Sequence, residues 1–243
     1  MRRDGNTALS PWPLTRAVKA ILIADVVIWL VTVVSIRWLH AAAAFDHLAL
    51  TPALVYPGLE LWQPFTYMWL HAPGEVSHIL FNMLFLWMFG GSLEQSWGAR
   101  GFVKFYLICG VGAGLVVLAS GLLFYPEIPT VGASGAIYGL VAAWVITDPN
   151  RAVWLFGLFP IKAKWFALFP IGYALLDFLV GGSGVSHAAH LGGLAVGALL
   201  VTGYWRPKRL WNKLRVARLK RRLKVLEGEG AGRKPPPPGG YWH

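Results

Sequence analysis

Charged residues are scarce in this chain. Asp, Glu, Lys and Arg together make up 14% of its 243 residues, against about 25% in typical soluble domains. Apolar residues make up 56%. A chain so poor in charge cannot cover a globular surface with polar groups, so an ordinary soluble protein is excluded. We expect much of the apolar surface to face lipid.

Cysteine is nearly missing and acidic residues are few. The single cysteine, Cys109, excludes an internal disulfide, and its apolar surroundings do not favour a reactive thiolate. Eleven acidic residues against 22 basic ones leave a net charge of +11. Such a charge can indicate nucleic-acid binding. Here the basic residues are segregated along the chain, so membrane topology explains them better and no nucleic-acid partner is expected.

Long apolar runs are what the chain has in abundance. A membrane-spanning helix needs about 20 apolar residues, and the sequence predicts six spans, at 18–36, 78–94, 102–124, 134–147, 165–180 and 188–204. The first run is too long for the core of a signal peptide, so we interpret it as a retained span. Segment 37–77 is apolar but broken by four prolines, which predicts a structured loop on or partly in the membrane. The fold class is therefore an all-α polytopic membrane protein.

The distribution of basic residues supports six spans. With that count, 21 of the 22 Lys and Arg residues fall on one side of the membrane and only Arg37 on the other. Because basic residues mark the cytoplasmic side, both termini are predicted to be cytoplasmic. The domains are then an N-terminal segment 1–17, a six-span domain 18–204, and a basic tail 205–243 with a Pro-rich end. The tail predicts an amphipathic helix against anionic lipid headgroups, or else a solvated helix that only fixes topology.

Polar groups inside spans are costly and indicate function. One cluster, Gly132-Ala133-Ser134-Gly135, opens the fourth span. Its small residues leave the serine hydroxyl accessible, and the free N–H groups of a helix start can stabilise an oxyanion. The alternative is a packing patch, because Gly135 and Gly139 form a Gly-x-x-x-Gly motif.

A second polar cluster opens the sixth span. His190 lies there beside small residues, and Gly193 and Gly197 again stand four apart, which permits close helix packing. A serine needs an adjacent base to become a nucleophile. Spans four and six both run inward from the outer side, so Ser134 and His190 lie at similar depth and can meet. A purely structural histidine is the alternative.

A third cluster opens the second span. His78 and Asn82 are four residues apart, on one helix face, and both side chains can donate hydrogen bonds. Such donors suit an oxyanion hole, although interhelical polar contacts would explain them too. Since spans two, four and six all begin on the outer side, the three clusters lie in one layer. We expect a single water-accessible site below the outer surface.

Together these motifs resemble those of the rhomboid family of intramembrane serine proteases, over about residues 60 to 200. The matching residues are His78-x-x-x-Asn82, Gly90, Gly91, Glu94, Gly132-Ala133-Ser134-Gly135, Tyr138 and Ala189-His190-x-x-Gly193-x-x-x-Gly197. The resemblance implies a bacterial-type bundle of six spans with a membrane-associated first outer loop. It places the protein in a membrane as a multi-pass protein, and we expect a bacterial inner membrane.

The resemblance also implies the chemistry. Ser134 would be the nucleophile and His190 the general base of a dyad without aspartate. His78, Asn82 and the Ser134 backbone N–H would bind the oxyanion, and Tyr138 would stack on His190. Four glycines would support the site, Gly132, Gly135, Gly193 and Gly197. The partners would be transmembrane proteins, cut near the outer end of a helix, and membrane lipids. No metal and no cofactor are implied.

Two residues bear on this interpretation. Many bacterial rhomboids carry Trp-Arg in the first outer loop, whereas Trp62 is followed here by Gln63, which affects stability or lipid contact and not the dyad. Asp177 in the fifth span could complete a triad, but the resemblance speaks against it. The glycines at 181, 182 and 184 predict a moving lid over the site.

Rival functions fit the sequence less well. A non-catalytic rhomboid-like protein that binds membrane helices is the main alternative, but such relatives lose the serine or the histidine, and both are present. The outer histidines could bind a metal, yet the chain has no His-Glu-x-x-His motif. A transporter would show inverted repeats and mid-membrane charges, and neither is evident.

Overall fold

The computed structural model describes residues 13–155, 159–180, 187–203, 216 and 219. The chain divides into two compact units, Met1–Val201 and Thr202–His243. The predicted lid at 181–186, most of the N-terminal segment and most of the basic tail lie outside the described residues. In the tail, Val216 and Leu219 are helical and exposed.

The described part of the chain is mainly helical. The elements in chain order are α1 (Arg16–Leu39), α2 (Ala42–Asp46), α3 (Pro52–Val55), α4 (Gln63–Thr66), a 3₁₀ turn (Tyr67–Trp69), α5 (Val76–Phe124), α6 (Ser134–Thr147), β1 (Ala152–Leu155), β2 (Phe159–Lys162), α7 (Ala163–Phe166), α8 (Leu168–Val180) and α9 (His187–Thr202).

Helix forms at each of the six predicted spans, with two of them joined in one element. The 49-residue α5 contains predicted spans two and three, and it is interrupted at Gly98, whose φ of 72° and ψ of 160° are not helical. By length and composition, α1 and α5 are the described helices that could cross a membrane, while α6 and α9 are shorter apolar helices. The bounds of α6 are those predicted. The crossing of the membrane by all six segments stays a prediction.

The expectation of a purely helical fold is wrong at one place. Segment 152–162, which carries a short apolar run, forms an antiparallel pair of strands, with Ala152 opposite Lys162 and Leu155 opposite Phe159. Val153, Trp154 and Ile161 are residue types that favour strands. Pro160 cannot donate a ladder hydrogen bond, but a two-stranded ribbon has only edge strands, where proline is tolerated.

The N terminus of α1 is capped by a residue from α5. Glu94 accepts hydrogen bonds from the backbone N–H groups of Ala17, at 3.0 Å, and Val18, at 2.9 Å, and from the Thr15 hydroxyl. These N–H groups belong to the first turn of α1 and have no partner within the helix. A carboxylate also favours the positive end of the helix dipole. Glu94 is itself buried, so this contact fixes α1 against α5.

The first outer loop is structured, as predicted. Pro52 is the first residue of α3 and Pro64 the second of α4, and the fixed φ of proline suits a helix start. Gln63 is fully buried, and its Oε1 accepts a 2.8 Å hydrogen bond from the Thr51 N–H. Its Nε2 donates to Glu60 at 2.6 Å. Gln63 therefore joins segments of the loop internally. Association of the loop with lipid stays a prediction.

Helix α6 lies at the centre of the described structure. Every residue from Gly135 to Trp144 is buried, and these side chains pack mainly against α5. The Trp144 ring meets the Phe89 ring with centroids 5.2 Å apart, and its Nε1 donates to the Ser92 hydroxyl at 3.0 Å. Such packing fixes the axis of α6, and with it the position of Ser134 at its first turn.

Candidate active site

A seam of glycines brings α6 and α9 together. A Cβ on Gly193 would lie 1.9 Å from the carbonyl oxygen of Gly135, and one on Gly197 would lie 2.6 Å from that of Gly139. Only glycine permits this backbone contact, as in tightly packed membrane helices. The partners advance in the same direction along both helices, so α6 and α9 run parallel and their first turns lie side by side.

Ser134 and His190 meet at those first turns. The Nε2 atom of His190 and the Oγ atom of Ser134 form a hydrogen bond of 3.0 Å. His190 is only 4% exposed, whereas Ser134 is partly accessible. Ser134 adjoins Gly135, and His190 stands one turn before its partner Gly193, so the glycine contact sets the serine-to-imidazole distance. This is the arrangement that a hydroxyl nucleophile and its base require.

Tyr138 lies one helical turn beyond Ser134 and covers the imidazole. Its ring is stacked on that of His190, with centroids 4.2 Å apart and an angle of 11° between the planes. Its hydroxyl donates a 2.8 Å hydrogen bond to the carbonyl oxygen of Pro170 in α8. The aromatic face restricts the imidazole to one plane. The bond to Pro170 is a contact that the sequence did not predict.

His78 faces Ser134 across Gly132. The position of a Cβ on Gly132 is 2.8 Å from His78 Nε2 and 3.8 Å from Ser134 Oγ. Gly132 has a φ of 125°, which residues with a side chain rarely adopt. Glycine is therefore required here for two reasons: the backbone has a positive φ, and a side chain would collide with the His78 ring. The gap that it leaves open is bounded by an imidazole nitrogen and the serine hydroxyl.

Asn82 is buried one turn after His78. Its Nδ2 donates to the backbone carbonyl of His78 at 2.8 Å. An amide group has two N–H bonds, so one remains for another acceptor. The predicted residues Ser134, His190, His78 and Tyr138 are thus brought to one site, while the hydrogen bond from Asn82 to His78 is internal to α5.

Other ionisable groups near the site are candidates for a third catalytic residue or for metal ligands. Within the described part of the chain, the buried His190 Nδ1 has no hydrogen-bond partner, and no group of three or more His, Cys, Asp or Glu residues could hold a metal. The side chain of Asp177 lies outside the described residues.

His71 is fully buried in the loop before α5, with its ring 5.3 Å from that of His78. Burial, with a contribution from His78, lowers the pKa of His71 to about 3.

Two features of this region had weak sequence signals. Pro170 is an isolated proline within a predicted span, which indicates a helix break but not its contact. His71 is one of several outer histidines, and its sequence neighbours do not reveal that it is fully buried beside His78. Both depend on contacts between elements that are distant in the chain.

Comparison with known proteins identifies the family of the chain. The family model "Rhomboid domain" matches residues 58–207, more than half of the chain. "RHOMBOID-like protein 1" of Arabidopsis thaliana is 36% identical over 160 residues, covering 63% of this chain and 36% of that protein. "RHOMBOID-like protein 6, mitochondrial" of the same plant is 33% identical over 154 residues, covering 60% and 44%.

A relative from a fungus shows the same pattern. "Rhomboid protein 1, mitochondrial" of Saccharomyces cerevisiae is 31% identical over 134 residues, which cover 51% of this chain and 37% of that protein. The matched region spans less than half the length of each of these three relatives. The region that the family model matches, residues 58–207, includes α5, α6 and α9, and with them every residue of the candidate site. The chain therefore belongs to the rhomboid family and is an integral membrane protein.

Proposed function

We propose that this protein is an intramembrane serine endopeptidase that cuts transmembrane helices near their outer end. The observation that carries the proposal is the 3.0 Å hydrogen bond between His190 Nε2 and Ser134 Oγ. The stacked Tyr138 ring and the nearby His78 imidazole add to it. Membership of the rhomboid family is consistent with this activity.

The proposed reaction is acyl transfer followed by hydrolysis. The Oγ of Ser134 attacks the peptide carbonyl carbon while His190 Nε2 accepts the hydroxyl proton. His190 then gives this proton to the departing amide nitrogen, and the C–N bond breaks to leave an ester on Ser134. A water molecule attacks the ester, again with His190 as base, and its hydrolysis restores the serine hydroxyl. With a proton on Nδ1, the imidazole is neutral and Nε2 can accept.

The developing oxyanion would lie in the gap beside Gly132, between His78 Nε2 and the Ser134 hydroxyl. His78 Nε2 borders that gap, and the backbone N–H of Ser134 belongs to the first turn of α6, where such groups have no partner within the helix. The second N–H of the Asn82 amide is the third proposed donor. Loss of one donor from such a site typically slows turnover by about 10² to 10³.

The position of the site in the bilayer follows from the length of α6. Fourteen residues give a helix of about 21 Å, which is shorter than the hydrocarbon layer of about 30 Å. If α6 ends at the cytoplasmic boundary, where Asp148 and Arg151 follow, Ser134 lies about 9 Å below the outer one. The proposed topology keeps six spans, both termini in the cytoplasm, and the basic tail against anionic lipid headgroups. The bacterial inner membrane stays a prediction, since two of the relatives named above carry the word mitochondrial.

The outward surface of the helices suits lipid and a helical substrate. On α1, large apolar side chains are at least half exposed at Ile23, Val27, Leu30, Val31 and Val34. A substrate helix is expected to enter between the second predicted span, in α5, and the fifth, which comprises α7 and α8. There the exposed Phe81 stacks on Phe85, which contacts Phe166 edge to face.

The test is cleavage of a protein with a single transmembrane helix, with the enzyme reconstituted in liposomes. We expect Ser134→Ala and His190→Ala each to abolish cleavage, while a metal chelator has no effect. Ser120→Ala and His40→Ala are matched controls, because the Ser120 hydroxyl bonds only within its own helix turn and His40 is exposed. Cleavage by Ser134→Ala at the wild-type rate would refute the proposal. Substrate binding without any cleavage by the wild type would indicate the non-catalytic alternative.

A further inference from the structure

A proline lies in the first turn of α8, next to the junction with α7, which ends at Phe166. Backbone hydrogen bonds from Ala167 to Ala163 and from Ile171 to Ala167 continue the helical pattern through the junction. Pro170 has no N–H to donate to the carbonyl of Phe166, the last residue of α7. Helices bend most readily where a proline removes such a bond. The junction is therefore the point at which α8 can turn relative to α7 with the least loss of bonding.

The two sides of the junction are held differently. Phe166, Ala167 and Pro170 are buried, and the Phe166 ring lies 5.8 Å from that of Phe89 in α5. Beyond the proline, the described side chains Leu175 and Leu176 are exposed. A Cβ on Gly172 would meet nothing within 4 Å. The residues that lead into the proline are thus held against α5, and the described residues after it are less tightly packed.

The Tyr138 hydroxyl binds at this junction. Its hydrogen bond to the carbonyl oxygen of Pro170 is buried and 2.8 Å long. The face of the same ring lies against the His190 imidazole. Stacking requires only the ring, so the hydroxyl supplies a separate contact. The Tyr138 side chain therefore contacts the proposed base with the face of its ring and the junction of α7 and α8 with its hydroxyl.

We propose that the Tyr138 hydroxyl is a positioning group. It couples the closed position of α8, packed against the bundle, to the orientation of His190. The inference rests on the proposed protease function. When α8 is seated, the bond to Pro170 fixes the tyrosine ring and thereby holds Nε2 of the imidazole toward Ser134. When α8 turns outward to admit a substrate helix, the bond breaks and the ring is released. The dyad is then aligned only after α8 has closed behind the substrate.

The first test removes the hydroxyl and keeps the ring. Tyr138→Phe should lower kcat for a transmembrane substrate about tenfold, because small misplacements of a catalytic group have effects of this order or larger. KM should not change, since no contact with substrate is lost. Tyr67→Phe is the matched control, because the Tyr67 hydroxyl also donates a buried 2.8 Å bond to a helix carbonyl, that of Gly110. We expect both variants to lose similar thermal stability, but only Tyr138→Phe to lose kcat.

The second test asks whether the effect passes through α8. Pro170→Ala restores an N–H to the helix and stiffens the junction, while leaving a carbonyl for Tyr138. If the hydroxyl acts through the junction of α7 and α8, the kcat of the double variant Tyr138→Phe with Pro170→Ala should be no lower than that of the slower single variant. Fully multiplicative effects would overturn the coupling, because independent sites contribute additively in free energy.

The outcomes separate the inference from the proposed function. A wild-type protein that neither cleaves substrate nor reacts with a fluorophosphonate probe at Ser134 would overturn the protease function itself. Wild-type cleavage together with an unchanged kcat in Tyr138→Phe would overturn only the positioning role. Equal losses of kcat in Tyr138→Phe and Tyr67→Phe would also overturn it, because a general loss of stability would then explain both.

Discussion

The substitution Gly193→Ala tests whether the glycine seam sets the geometry of the dyad. The added Cβ would lie 1.9 Å from the Gly135 carbonyl oxygen, whereas ordinary contacts begin near 3.4 Å. The obstacle is backbone, which cannot rotate away, so α6 and α9 must separate by about 1.5 Å. A hydrogen bond of 3.0 Å between His190 and Ser134 would then stretch to about 4.5 Å and be lost.

The expected consequence is a loss of activity greater than the loss of stability. Misplacing a catalytic group by about 1 Å can cost about 100-fold in rate, so kcat/KM should fall at least that far. Overpacking costs about 1–3 kcal/mol, and the higher helix propensity of alanine offsets about 1 kcal/mol of it. The protein should therefore still fold, as thermal unfolding in detergent would show.

The matched control is Gly172→Ala. This glycine is also helical, but its added Cβ would meet nothing within 4 Å, so cleavage of a transmembrane substrate should stay near the wild-type rate. If Gly193→Ala retained most of its activity with an unchanged unfolding temperature, the seam would not control the distance between serine and histidine.

Two further predictions concern stability and are measured by unfolding in detergent. Glu94→Gln should lower the free energy of unfolding by about 2 kcal/mol, because hydrogen bonds to a charged group contribute about 1.5–3 kcal/mol, while Glu127→Gln in an exposed turn should change little. His71 should make the protein less stable in acid. Its pKa of about 3 in the folded protein is below the ordinary value of about 6.5, so the unfolded chain binds the proton first. Stability should fall as the pH drops from about 6.5 toward 3, by up to about 1.4 kcal/mol per pH unit, and His71→Phe should remove this contribution. An equal acid slope in that variant would assign the effect to other groups.

The fold was predictable where the chain carries strong local signals. The start and end of α6 follow from Gly132 to Gly135 on one side and Asp148-Pro149-Asn150 on the other, and both bounds agree with the structure. The Gly-x-x-x-Gly pairs predicted close packing, and the parallel contact of α6 with α9 has this origin. Segment 152–162 was missed because a short apolar run containing proline has neither a clear helical nor a clear strand period.

The candidate site was predictable in its residues but not in all its contacts. The types and spacing of Ser134, His190 and His78 are enough to suggest a dyad and an oxyanion donor. The bond from Tyr138 to Pro170 joins residues 32 positions apart, and nothing local to either one indicates the other. The same is true of Glu94, whose sequence position shows only a carboxylate near the end of an apolar run. Contacts of this kind depend on how helices pack, which residue patterns within each helix do not specify.

The cap that Glu94 places on α1 has a consequence for biosynthesis. The Val18 amide and the Glu94 carboxylate are separated by 76 residues. At about 5–20 residues per second, the ribosome needs roughly 4 to 15 seconds to make the second partner after the first. Throughout that interval the leading turn of α1 must rely on water or lipid headgroups for its hydrogen bonds. The first helix can therefore enter the membrane early, but it cannot reach its final packed position against α5 until the part of α5 that carries Glu94 has been translated.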